Sequence, residues 1–138
     1  MNAHPTIRFS AIGLNHPHIY SQVDMMLRAG TEFASFYAPE PDLADPFSQK
    51  FSQARRASSI ADILEDESIQ LVLSAAIPSE RAPLGIAVMQ HGKDYLSDKP
   101  AFTSLEQLDE ARRVQAETNR ICFVYFSERL ENRATAKA

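Results

Sequence analysis

Ile69-Gln70-Leu71-Val72-Leu73-Ser74-Ala75-Ala76 is an apolar run interrupted by one glutamine and one serine. A strand with one wet face alternates apolar and polar residues. A strand buried on both faces does not, and helices covering both faces of a parallel sheet impose that burial. Pro78 ends the run. Working outward, strand-like stretches recur at Ile7–Ile12, Glu32–Tyr37 and a stub at Ala57-Ser58 before it, then at Asp94–Ser97 and Ile121–Phe126 after it. Helical patterns fill the gaps. Ile19, Val23, Met26 and Leu27 fall at i, i+4, i+7 and i+8, which makes one apolar face, and Gly30 suits the left-handed position that closes such a helix. The spacing predicts further helices over Leu43–Arg55, with Pro46 tolerable only in the first turn, from Ser59, over Ser79–His91, and from Ser104. Ser104-Leu105-Glu106-Gln107 reads as a capping box, in which serine and glutamine satisfy two backbone donors reciprocally; Leu108, Ala111 and Val114 share the face behind it. Regular alternation of strand and helix with short loops predicts an α/β fold: a doubly wound parallel sheet of Rossmann type, with right-handed crossovers.

Bulk properties narrow the function. A length of 138 residues suits a single domain. Apolar residues make up 44% of the chain and charged residues 23%, close to globular averages, which argues against disorder. The net charge of −4 provides no basic footprint for nucleic acid. No apolar run approaches the ~20 residues needed to cross a bilayer, and Met1–Arg8 lacks the apolar stretch of a signal peptide. Cys122 is the only cysteine, so neither an intrachain disulfide nor a cysteine-based zinc cluster can form. The expected setting is the reducing cytoplasm.

The candidate site lies where strands end. After the first strand comes Gly13-Leu14-Asn15-His16-Pro17-His18. A dinucleotide fingerprint would place glycines at the first, third and sixth of these positions; only Gly13 survives, with Asn15 and His18 in the other places. A helix N-terminus there still offers backbone N–H groups and a positive dipole end to a pyrophosphate, and His16 and His18 can each donate to an anion. Two other readings stay open: His16 as an N-cap with His18 packed on the helix, and a metal site. His-Pro-His after a first strand is similar to the His-x-His of amidohydrolase barrels. That fold needs about 250 residues, and only His4 and His91 remain as further histidines, so no metal is expected. The second strand ends Tyr37-Ala38-Pro39-Glu40, without an acid at the place where one usually accepts from the ribose hydroxyls. Glu40, three residues late and behind a proline, reads as solvated, which leaves NAD and NADP undecided. After the fourth strand, Ala75 and Ala76 are small enough for a cofactor to cross, Pro78 opens the helix, and Ser79 caps it or touches the ribose.

At the end of the fifth strand stands Ser97-Asp98-Lys99-Pro100, in the crevice position where open α/β sheets bind ligands. An ordinary solvated turn is the other reading. This acid-Lys-Pro signature, with the small-residue–proline segment after the fourth strand, resembles the Gfo/Idh/MocA oxidoreductases, whose members more often read Glu-Lys-Pro. The resemblance runs from Ile7 to about Ala134 and is best over Leu84–Pro100 and Ser127–Arg133. It implies a cofactor, NAD or NADP, held by Gly13, Asn15, His16, His18, Ala76, Pro78, Ser79, Asp98, Lys99 and Pro100, with Lys99 the catalytic residue and a cis Lys99–Pro100 bond. It implies residues 1–126 as the dinucleotide domain and 127–138 as the start of a linking helix to a second α/β domain that this chain lacks. A chain truncated there is expected not to turn over substrate alone and to form homo-oligomers through exposed apolar surface. The implied substrate is a sugar, a polyol or a related hydroxy compound; a non-catalytic dinucleotide-sensing or interaction module is the alternative.

Overall fold

A computed structural model describes residues 4–127. Its strands are β1 (Arg8–Ile12), β2 (Glu32–Tyr37), β3 (Arg55–Arg56), β4 (Leu71–Ser74), β5 (Asp94–Asp98) and β6 (Cys122–Tyr125). Its helices are α1 (His18–Arg28), α2 (Pro41–Lys50), α3 (Ile60–Leu64), α4 (Pro78–Gln90) and α5 (Leu105–Thr118). The strands form one sheet in the order β3-β2-β1-β4-β5-β6, and every pairing is parallel. This is the doubly wound Rossmann arrangement predicted from the alternation. Strand order reverses between β1 and β4, which opens a crevice at their carboxyl ends. The linking helix expected over 127–138 lies outside the described residues, apart from Ser127.

Both sheet faces are covered. Phe9, Ala11, Leu71, Leu73 and Leu96 join Ile19 and Val23 of α1, Phe47 of α2 and Phe51 just after it in one cluster. The alternate residues Ile12, Val72 and Tyr95 join Ile63, Leu64 and Val88 of α3 and α4 in another. The pairing slips between Phe9 and Ser10, so that Phe9 faces Phe33 while Ser10 faces Ser35. The extra residue, Ala34, puts Phe33 and Phe36 in the same aromatic cluster, although three positions apart in a regular strand would place them on opposite faces. The buried Ser10 and Ser35 hydroxyls satisfy each other at 2.8 Å.

Local departures from the predicted elements have simple causes. α2 begins at Pro41 and ends at Lys50, not Leu43–Arg55. Pro41 takes the first helical position, where a missing N–H is harmless, and Pro46 therefore falls inside the helix. The third strand is Arg55–Arg56, with Ala57 donating to Phe36 O just beyond it. Ser104 does accept from the Gln107 N–H, but Gln107 Oε1 accepts from the Thr103 N–H and hydroxyl, so the reciprocal half of the box closes one residue early. Gly85 lets α4 sit directly on β5: a Cβ there would lie 2.4 Å from the Tyr95 ring.

Candidate functional site

The crevice begins at Gly13. Its φ is +82°, and an added Cβ would lie 2.6 Å from the Cβ of Ala76 and 2.9 Å from its Cα. The turn is stitched to its neighbours: Gly13 N–H donates to Tyr37 O, Ala75 N–H to Gly13 O, and His16 N–H to Ala75 O, at 3.0–3.1 Å. The result is a notch with no side chain, at the point where three strand ends meet. It opens into a cleft of about 530 Å³ lined by Ile12, Gly13, Asn15, Tyr37, Pro39, Glu40, Ala76, Ser79 and Leu84 among others.

Of the predicted residues, Gly13, Asn15, Ala76 and Ser79 meet in this cleft. Pro78 stands at the first position of α4. His16, His18 and Asp98 come together beside it. Lys99 and Pro100 line a second cleft of about 570 Å³ with Ala101, Phe102, Val124 and Phe126. The Lys99–Pro100 bond is cis, as the resemblance implied.

Glu40, read from the sequence as solvated, lines this cleft. Asn15 Nδ2 donates to its Oε1 at 3.4 Å, while its Oε2 is buried with no hydrogen-bond partner. Glu40 thus brings a carboxylate to the cleft wall with one oxygen still lacking a partner. Asn15 needs no left-handed backbone, since Asn119 is the only non-glycine with positive φ among the described residues.

The α1 N-terminus offers less than expected. Pro17 has no N–H, the His18 N–H donates to His16 Nδ1 at 3.2 Å, and the Ile19 and Tyr20 N–H groups donate to His16 O and Pro17 O. Donors that a phosphate would use in an open fingerprint turn are thus engaged internally. His16 serves the helix start as a cap would, although the capping position itself is Pro17.

Asp98 is 1% exposed at the end of β5. Its Oδ1 accepts from the Lys99 N–H at 2.9 Å and lies 3.0 Å from His18 Nδ1. Its Oδ2 lies 3.4 Å from His16 Nδ1 and 3.7 Å from the Arg81 guanidinium, and has no hydrogen-bond partner. Arg81, 3% exposed, was missed by sequence reasoning. It donates from Nε to Ala76 O at 2.6 Å and from NH1 to Pro100 O at 3.1 Å, clamping the segments that follow β4 and β5. Tyr95 OH in turn donates to Arg81 O at 2.8 Å, and burial pushes that phenol well above its ordinary range.

A parallel sheet in this strand order, with a glycine notch at the switch point and Glu40 in the loop after β2, defines a dinucleotide-binding Rossmann domain. The profile of the Gfo/Idh/MocA oxidoreductase family, NAD-binding Rossmann fold, matches residues 9–126. The chain belongs to that family. A candidate oxidoreductase from Erwinia carotovora atroseptica SCRI1043 is 39% identical, with a TM-score of 0.91 over 94% of this chain and 39% of its own. The WlbA dehydrogenase of Bordetella pertussis, solved with NADH and UDP-GlcNAcA, shares the fold at 21% identity and a TM-score of 0.83, over 96% of this chain and 40% of its own. Biliverdin reductase from Synechocystis sp. PCC 6803, solved with biliverdin and NADP+, does so at 19% identity and a TM-score of 0.79, over 90% of this chain and 39% of its own. The chain therefore spans about two fifths of the length of these relatives. No curated protein matches the sequence significantly.

Proposed function

We propose that this chain is the nucleotide-binding half of a cytoplasmic dehydrogenase acting on a sugar, polyol or related hydroxy compound. The Gly13–Ala76 notch beside the orphaned Glu40 carboxylate oxygen carries the reading. Gly13, Asn15, Ala76 and Ser79 hold the dinucleotide, with His16, His18, Pro78 and Asp98 at its rim. Bound nicotinamide supplies hydride exchange with a substrate carbon. Lys99, with Pro100 beside it, takes the catalytic place: its ammonium polarises the reacting oxygen or relays its proton. The half-cleft around Lys99 is shallow and lined by Phe102 and Phe126. Phe126 on this side is 50% exposed, a surface suited to a second copy of the chain. Substrate positioning needs a further wall, so the 138-residue chain alone binds dinucleotide without turning over substrate. Steady turnover of any polyol by the purified chain refutes this.

Glu40 favours NAD. Its carboxylate accepts from ribose hydroxyls and repels a 2′-phosphate, and no lysine or arginine lines the cleft. Titration should raise the melting temperature with NAD more than with NADP, since ligand at about 100 Kd adds ~2.7 kcal/mol. Glu40→Gln should cost about 1.5–3 kcal/mol of NAD binding, the worth of hydrogen bonds to a charged group, and should narrow the gap to NADP. Equal shifts in parent and variant would remove Glu40 from the site.

A non-catalytic dinucleotide-sensing module is the second reading. The internally engaged donors at the start of α1 favour it, because they weaken the pyrophosphate site.

A further inference from the structure

We propose that His16, His18 and Asp98 form a binding site for one divalent transition ion of the zinc type. The three residues come from two strand ends far apart in sequence, yet their ligand atoms all lie within 4.8 Å of one another. The donor set is two imidazoles and one carboxylate, which suits zinc, cobalt or nickel and disfavours magnesium and calcium.

Two independent observations point to an ion here. The first is the state of Asp98. A carboxylate 1% exposed normally has both oxygens hydrogen-bonded, but Oδ2 has no such partner and faces His16 Nδ1. That nitrogen accepts from the His18 N–H at 3.2 Å, so an ion bound here takes over the lone pair now given to the helix start. The Arg81 guanidinium stands 3.7 Å from Oδ2 as an ion-pair partner, but its hydrogen bonds go to Ala76 O and Pro100 O, which leaves Oδ2 without a donor. The second observation is spacing. Two ligands bonded to one ion at about 2.1 Å with tetrahedral angles stand about 3.4 Å apart, and the His16 Nδ1–Asp98 Oδ2 separation is 3.4 Å. His18 Nδ1 completes the group at 3.0 Å from Oδ1, a contact that an ion bound to both atoms would replace.

The site has an entry path. His16 and His18 side chains are 47% and 30% exposed, while Asp98 anchors the inner end. Three protein ligands leave at least one position for water or a ligand oxygen, as in open zinc sites. Because Asp98 immediately precedes Lys99, an ion here would add a fixed positive charge beside the proposed catalytic lysine.

The test uses the tag-free chain, stripped with chelator and titrated with Zn²⁺ and Co²⁺ above the pH range where imidazole protonates. The expected result is one equivalent bound per chain, a cobalt ligand-field spectrum characteristic of imidazole ligation, and a raised melting temperature, with no response to Mg²⁺. His16→Ala, at a half-exposed ring, should weaken binding more than about 100-fold, since even losses outside the ligand shell cost roughly 10–100-fold. His16→Gln serves if the alanine variant fails to fold. His4→Ala should bind like the parent. Substoichiometric binding, or binding retained in the folded His16 variant, would overturn the site. Loss of metal without loss of the NAD-linked shift leaves the nucleotide reading intact.

Discussion

Replacing Arg81 with methionine is expected to destabilise the domain by about 3–5 kcal/mol, the usual cost of stranding one member of a buried ion pair. Arg81 and Asp98 are 3% and 1% exposed, so water cannot take over when the guanidinium goes. The carboxylate would keep only the Lys99 N–H and the two histidines. Ala76 O and Pro100 O would also lose their donors. Against a total stability of ~5–15 kcal/mol for an ordinary domain, such a loss shows plainly in urea unfolding. The companion variant Asp98→Asn should cost less in the Arg81→Met background than alone, because a neutral amide needs no counter-charge. A loss below about 1 kcal/mol for Arg81→Met would mean that the 3.7 Å approach of guanidinium and carboxylate contributes little to stability.

Gly13→Ala should both destabilise the fold and abolish NAD binding. The left-handed backbone at φ +82° costs a side-chain-bearing residue about 1–3 kcal/mol. The new methyl would stand 2.6 Å from Ala76 Cβ and 2.9 Å from its Cα. The latter is backbone, so relief requires β4 and β1 to separate. Overpacking of this kind adds a further ~1–3 kcal/mol. Because the three backbone bonds around Gly13 tie β1, β2 and β4 together, the distortion falls on the cleft itself. Calorimetric titration of the variant should show no NAD heat at temperatures where it remains folded. Retained affinity would show that the dinucleotide bypasses the notch.

The fold was legible because its strongest signals are local. The unbroken apolar run around β4, the helical face of α1 and the Ser59 and Ser104 caps each need only a few neighbouring residues to be read. Pro41 and Pro46 misled the placement of α2, since a proline forbids a helix interior by rule but is carried when the surrounding packing outweighs one lost bond. The site was legible only in part. Gly13, Ala76 and Ser79 follow from motif position. Glu40 looked too late for the ribose, yet the chain turns back at Pro41 and leaves it on the cleft wall. Arg81 resembles any solvated arginine on a helix until α4 is docked on the sheet. The meeting of Asp98 with two histidines is a property of strand order, which no local window contains.

His18 and Asp98 are separated by 80 positions along the chain. A nascent polypeptide that has released β1 to β4 holds one side of this contact and waits for the other. The β1–β4 and β4–β5 pairings bring the two ends together, so the clasp depends on strand order as a whole. A ligand bridging those two side chains would tie the first strand's end to the fifth's and stabilise the finished domain by mass action.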